Sequence, residues 1–141
     1  MNKIVDFNGI GYVAATFPVS AATKTYLATN YTNAQTGNVD VNGKNLAVAL
    51  NTNGEAEIPA SGTAALLGVI IAYEMDGFAS VQIKGGIDEV PTAAALTAGV
   101  KDLSVNTAGK IVATSGEGAV GNKVVVAKPS TSGSLFASII L

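Results

Sequence analysis

The chain has 141 residues, with 8 basic and 10 acidic side chains for a formal net charge of -2, and it contains neither histidine nor cysteine. Their absence excludes a disulfide framework, a thiolate metal centre and the usual histidine general base. Only 13% of residues are charged while 48% are hydrophobic, against ~25% charged in an average soluble domain; this excludes a disordered polar chain and points to a surface partly covered by neighbours.

Residues 1–35 differ in composition from the rest. Phe7, Tyr12, Phe17, Tyr26 and Tyr31 are spread over an Asn/Thr/Ala background, and Pro18 interrupts any long helix. The stretch reads as an extended arm, or an arm with one or two peripheral strands. Its five aromatics are candidate interface anchors, because rings stabilise only when covered and dominate interface hot spots. Asp6, Asn8, Gly9 and Gly11 break up what would be the apolar core of a secretory signal.

Residues 36–141 read as one β-domain. Val39 and Val41 alternate, Asn42-Gly43 offers a tight turn, and Leu46, Val48 and Leu50 alternate again. Asn53-Gly54 offers a second turn before Ala56 and Ile58. Two Asn-Gly steps between alternating runs are a strong hairpin signal, since both turn residues take positive φ. Ala65 to Tyr73 is a continuous apolar run with Val69, Ile70 and Ile71 at its centre, expected as a strand buried on both faces. Asp76-Gly77 turns the chain into the alternating run Phe78 to Lys84. Gly85-Gly86 marks a bulge or sharp bend before the strand Ile87 to Val90.

Thr92 to Ala98 is a loop or a single helical turn. Val100 to Val105 is a strand, and Asn106-Thr107-Ala108-Gly109 fits a type I turn closed by a left-handed glycine, leading into Ile111 to Thr114. Lys123 to Lys128 and Leu135 to Leu141 are the remaining strands. No window sustains apolar residues at helical spacing for three turns, so the expected fold class is all-β: a small antiparallel barrel or sandwich with an N-terminal arm. No apolar run approaches the roughly 18 residues of a membrane helix.

The motifs that carry chemistry elsewhere are weak here. Gly116, Gly118 and Gly121 spell G-x-G-x-x-G, but a strand and not a helix is expected after them, and no acidic residue follows at ribose-binding distance. A flexible hairpin loop is the better reading. Asp88 and Glu89 are neighbours, which a strand sends to opposite faces. Glu55 and Glu57 share a face but lack a third ligand for a hard cation, and they read as a charged strand edge. All eight basic residues are lysines, dispersed from Lys3 to Lys128, so no stripe exists to neutralise a nucleic-acid backbone. No catalytic residue, metal site or cofactor is expected.

The residues from Gly62 to Leu141 resemble the capsid decoration, or cement, proteins of tailed bacteriophages. The matching pieces are Gly68-Val69-Ile70-Ile71, Val81-Gln82-Ile83-Lys84-Gly85-Gly86, Leu96-Thr97-Ala98-Gly99-Val100 and Val105-Asn106-Thr107-Ala108-Gly109-Lys110-Ile111-Val112. The first 60 residues take no part in it. The resemblance implies a β-barrel-like domain on the outer capsid surface, often trimeric at symmetry axes. It also implies the major capsid protein and further copies of the chain as partners, synthesis in the host cytoplasm and no catalysis. A head fibre, a tail subunit or a bacterial surface subunit are the alternatives; the first would show a repeat or stalk, and the last an export signal.

Overall fold

In a computed structural model, residues 11–74, 76–115 and 120–141 are described. Their strands are β1 (Val13–Pro18), β2 (Ala47–Leu50), β3 (Ala56–Glu57), β4 (Ala64–Ala65), β5 (Gly68–Tyr73), β6 (Phe78–Lys84), β7 (Gly86–Pro91), β8 (Gly99–Val105), β9 (Ile111–Ala113), β10 (Asn122–Lys128) and β11 (Phe136–Ile140), with one helix, α1 (Ala21–Tyr31). They form two antiparallel sheets, the first in the order β1-β6-β5-β2-β3, the second β4-β8-β10-β11-β7 with β9 on β8. The all-β class expected, a barrel or sandwich of antiparallel strands, is present as two sheets, with one helix beside them.

Most expected strands and turns are present. Asn53-Gly54 closes the β2–β3 hairpin, where Ala49 pairs with Glu57 and Leu50 with Ala56; contrary to the expectation for both Asn-Gly steps, only the glycines, Gly43 and Gly54, take positive φ. The Asn51 carboxamide oxygen accepts from the backbone N–H of Asn53 and of Glu55, both at 2.9 Å, and so fixes the loop. Asp76-Gly77 joins β5 to β6, with the Asp76 carboxylate accepting from the Phe78 N–H. The Asn106–Gly109 turn joins β8 to β9, and Gly109 has the left-handed φ of 70° that the sequence requires there.

The apolar run of residues 65–73 divides between the sheets. Ala64–Ala65 pairs with β8 in the second sheet, and Gly68–Tyr73 lies between β2 and β6 in the first. Within β5 the expectation of burial on both faces holds at the centre. Val69 enters the core between the sheets, with Ala47, Leu66, Leu103, Val105, Val124 and Ile139. Ile70 enters a second core with Leu27, Leu46, Val48 and Val81. Neighbouring strand residues point to opposite faces, so the first sheet is sandwiched between the second sheet and α1. Each fully buried Leu or Ile removes enough apolar surface from water to contribute about 1.5–3 kcal/mol.

The chain crosses from the first sheet to the second at Gly85, where the sequence predicts a bend. Its φ of 101° suits glycine, and its N–H and C=O both bond to Leu141, at 3.4 and 2.9 Å.

Two parts of the chain depart from the alternation pattern. Val39 and Val41 do not form a strand. Asn42-Gly43 makes a turn with no strand pair beside it, Thr32 bridges Val39, and the Asp40 N–H donates to the Tyr31 carbonyl at 2.9 Å. The segment is tied to the end of α1, and Val41 is buried in the second core.

Of the stretch read as an arm or peripheral strands, β1 is an edge strand paired along β6, and α1 follows at once. The helix lacks a sequence signal because only Thr23 and Leu27 are buried, which leaves no apolar stripe to detect. Its start is capped by Ser20, whose hydroxyl accepts from the Thr23 N–H at 3.3 Å. Thr25, Thr29 and Asn30 turn their side-chain donors onto carbonyls four residues earlier, so these poor helix formers compete less with the backbone ladder. The Ile58 N–H donates to the Thr23 hydroxyl at 3.0 Å, which bonds the helix to the segment just after β3.

Candidate functional site

The five aromatics do not form one surface. Phe7 lies outside the described residues. Tyr12, just before β1, is 67% exposed, while Phe17, Tyr26 and Tyr31 are half-buried against the second core. The rings of Tyr26 and Tyr31 are 6.3 Å apart and inclined by 58°. Burial, and secondarily Tyr26 beside it, raises the Tyr31 phenol above its ordinary 10.0. Three of the four described aromatics therefore act mainly as packing for the β-domain, and Tyr12 is the one among them open to a partner.

The charged candidates are also tied into local structure. The Asn51 amide donates to Glu55 at 3.0 Å and to Glu57 at 3.5 Å, on the strand that ends the first sheet. Asp88 accepts from the Ser138 hydroxyl at 2.7 Å across β7 and β11. Among the described residues, no group of three or more acidic side chains is placed to hold a metal ion. Gly116 and Gly118 fall outside the described residues. Gly121 is described, and strand β10 starts directly after it, so no helix N-terminus follows the loop.

A cleft of about 510 Å³ opens beside the end of α1, lined by Tyr31, Lys44, Leu46, Glu89, Lys110 and Phe136 among others. Glu89 in its lining, at 56°, and Asn45, at 50° between the lining residues Lys44 and Leu46, are the two non-glycine residues with positive φ among those described. The Asn45 amide donates to the carbonyls of Asp88 and Glu89, at 3.0 and 3.3 Å, so each distortion props the other. A left-handed non-glycine residue costs roughly 1–2 kcal/mol. Glu89→Gly is therefore expected to raise the urea unfolding midpoint, by about 0.5–1 kcal/mol of stability after the added freedom of the unfolded chain is subtracted. Glu89→Val, β-branched, is expected to lower it. Equal midpoints for the two would contradict the strained geometry.

No family model matches the chain, and neither does any curated protein or solved structure.

The outer face of the second sheet carries exposed apolar side chains on adjacent strands. Inner-facing Val124 and Val126 leave Val125 on the opposite side of β10. Val125 pairs with Val100 of β8 on one side and with Ile140 of β11 on the other. Val100 is 66% exposed and Val125 38%. Phe136, paired with Pro91, adds a third exposed apolar side chain from the same sheet, while Ile140 is half-buried. Beside the valine pair, Lys123 and Asp102 form an exposed ion pair at 3.1 Å, also as cross-strand neighbours. An exposed pair of this kind adds little stability.

Strand periodicity held the signal for this face. Val124-Val125-Val126 must expose its middle member if the outer two are core, and Val100 lies on the opposite parity to Leu103 and Val105.

Proposed function

We propose that the chain is a non-catalytic structural subunit that works by covering and being covered: it adheres to a larger protein assembly and to copies of itself. The observation that carries this reading is the apolar row Val100–Val125–Ile140 across three adjacent strands of a hydrogen-bonded sheet, with the two valines exposed and Ile140 half-buried. A rigid sheet face pays little ordering cost on association, and exposed contiguous apolar patches mark interaction sites. Low charge and many small side chains favour close approach.

The assembly proposed is the outer shell of a tailed-phage capsid, with the major capsid protein as partner. The support is the similarity of residues 62–141 to decoration proteins in their strand-and-turn motifs. Repetition around a shell would multiply a modest single contact into firm attachment. The test is to titrate the purified chain onto undecorated heads assembled from the capsid protein of the same virus. Co-sedimentation that saturates at a fixed ratio, with a rise in the temperature at which the heads rupture, is expected. Heads that sediment without the chain at saturating concentration would overturn the capsid assignment.

A further inference from the structure

We infer that the outer face of the second sheet pairs with the same face of a second copy about a two-fold axis running parallel to the strands, between β8 and β10. The inference deepens the self-adhesive half of the reading above and rests on it. It does not depend on the capsid.

The argument is one of charge and register. Val100 stands level with Val125, and Asp102 with Lys123. Rotation about an axis parallel to the strands keeps each residue's height and exchanges left for right. With the axis between β8 and β10, Val100 meets the partner copy's valine of β10, and Asp102 meets its lysine. The two ion pairs then close into a ring of four alternating charges around a continuous valine layer.

The neighbouring alternatives are worse. An axis along β10 would set two Lys123 ammonium groups against each other, and an axis along β8 would set two Asp102 carboxylates together. Like charges facing across an interface are costly and reject a register. The charged pair, of little use for folding, thus selects one arrangement of the apolar row. A two-fold contact of this kind is self-complementary and closed, so it does not propagate into a fibre.

The area is modest. The strands that this axis lays over one another are β8 and β10, flanked by the shorter β11 and the two-residue β4; about 4.8 Å apart and ~3.3 Å per residue, they present roughly 330 Å² in projection, under half of what each partner contributes to a standard interface. A weak dimer is expected, in the high-micromolar range, as suits a subunit whose other surfaces are engaged at the same time.

The test is complementation. Val100→Glu and Val125→Lys change exposed positions and are expected to leave the thermal midpoint within a degree or two of the parent. In sedimentation equilibrium at low salt, the parent is expected to show a monomer–dimer equilibrium, and each variant alone a monomer. An equimolar mixture of the two should dimerise at least tenfold more tightly than either variant alone, because the new carboxylate beside Asp102 faces the new ammonium beside Lys123. Lys123→Glu, at a side chain three-quarters exposed, gives a second and milder disruption if either valine variant folds poorly; it should also yield monomer.

A mixture that stays monomeric, a Val125→Lys variant that dimerises alone, or a parent of three chains would each overturn the two-fold contact. A parent dimer that complements as described but fails to bind heads would support this inference and sink the capsid assignment alone.

Discussion

Gly68→Ala is expected to be the most damaging small substitution in the chain. A methyl group at Gly68 would sit 2.1 Å from the backbone oxygen of Gln82 and 2.9 Å from Val81 Cγ1. The side chain can rotate, but the carbonyl is fixed by the sheet, so β5 and β6 must part where β5 begins. Overpacking of a well-filled core costs about 1–3 kcal/mol and more where nothing can yield. A loss of at least ~3 kcal/mol is expected here, read from the urea midpoint. Gly133→Ala is the control: its nearest neighbour, the Thr131 hydroxyl, is 4.0 Å away, so a change within about ±0.5 kcal/mol is expected. Equal midpoints for the two variants would show that β5 and β6 do not approach as described.

Leu27→Ala is expected to cost about 2–5 kcal/mol, the range for emptying a fully buried leucine site. Leu27 has no exposed surface and packs with Val19, Val41, Leu46, Ile58 and Ile70 in the core on the outer side of the first sheet. Calorimetry should show one cooperative transition moved to lower temperature, because α1 is bonded and packed onto the sheet. Tyr12→Ala, at a largely exposed position, should leave that transition in place. A Leu27→Ala protein that melts like the parent would mean that α1 is a detachable element, and that the two cores do not share one folding transition.

These two positions also show how far the sequence could be read. The hairpin at Asn53-Gly54, the turn ending at Gly109 and the bend at Gly85 were legible because each depends on backbone chemistry that only a few residues supply. Alternation placed Leu103 with Val105, since a strand's period holds whatever it packs against. Helix α1 was not legible. Its register is set by a serine cap, one leucine and a threonine hydroxyl that accepts from Ile58, a residue distant in sequence. The continuous run from Ala65 to Tyr73 was read as one strand because periodicity cannot show where a chain leaves one sheet for another. The strained pair Asn45 and Glu89 was not legible, because it meets only through tertiary contact; strand parity turns Val100 outward but does not show which neighbours leave it exposed.

The topology has a consequence during synthesis. Among the described residues, strand β1 has a single ladder partner, β6, whose first residue emerges about 60 residues later, and such distant pairings form slowly. Until then Val13 to Phe17, an uncharged segment with an aromatic at its end, has no native strand beside it on either side. Nascent chains of this protein are therefore most prone to mispair early, and a ribosome-bound chaperone that shields the segment would raise the soluble yield more than one acting after release.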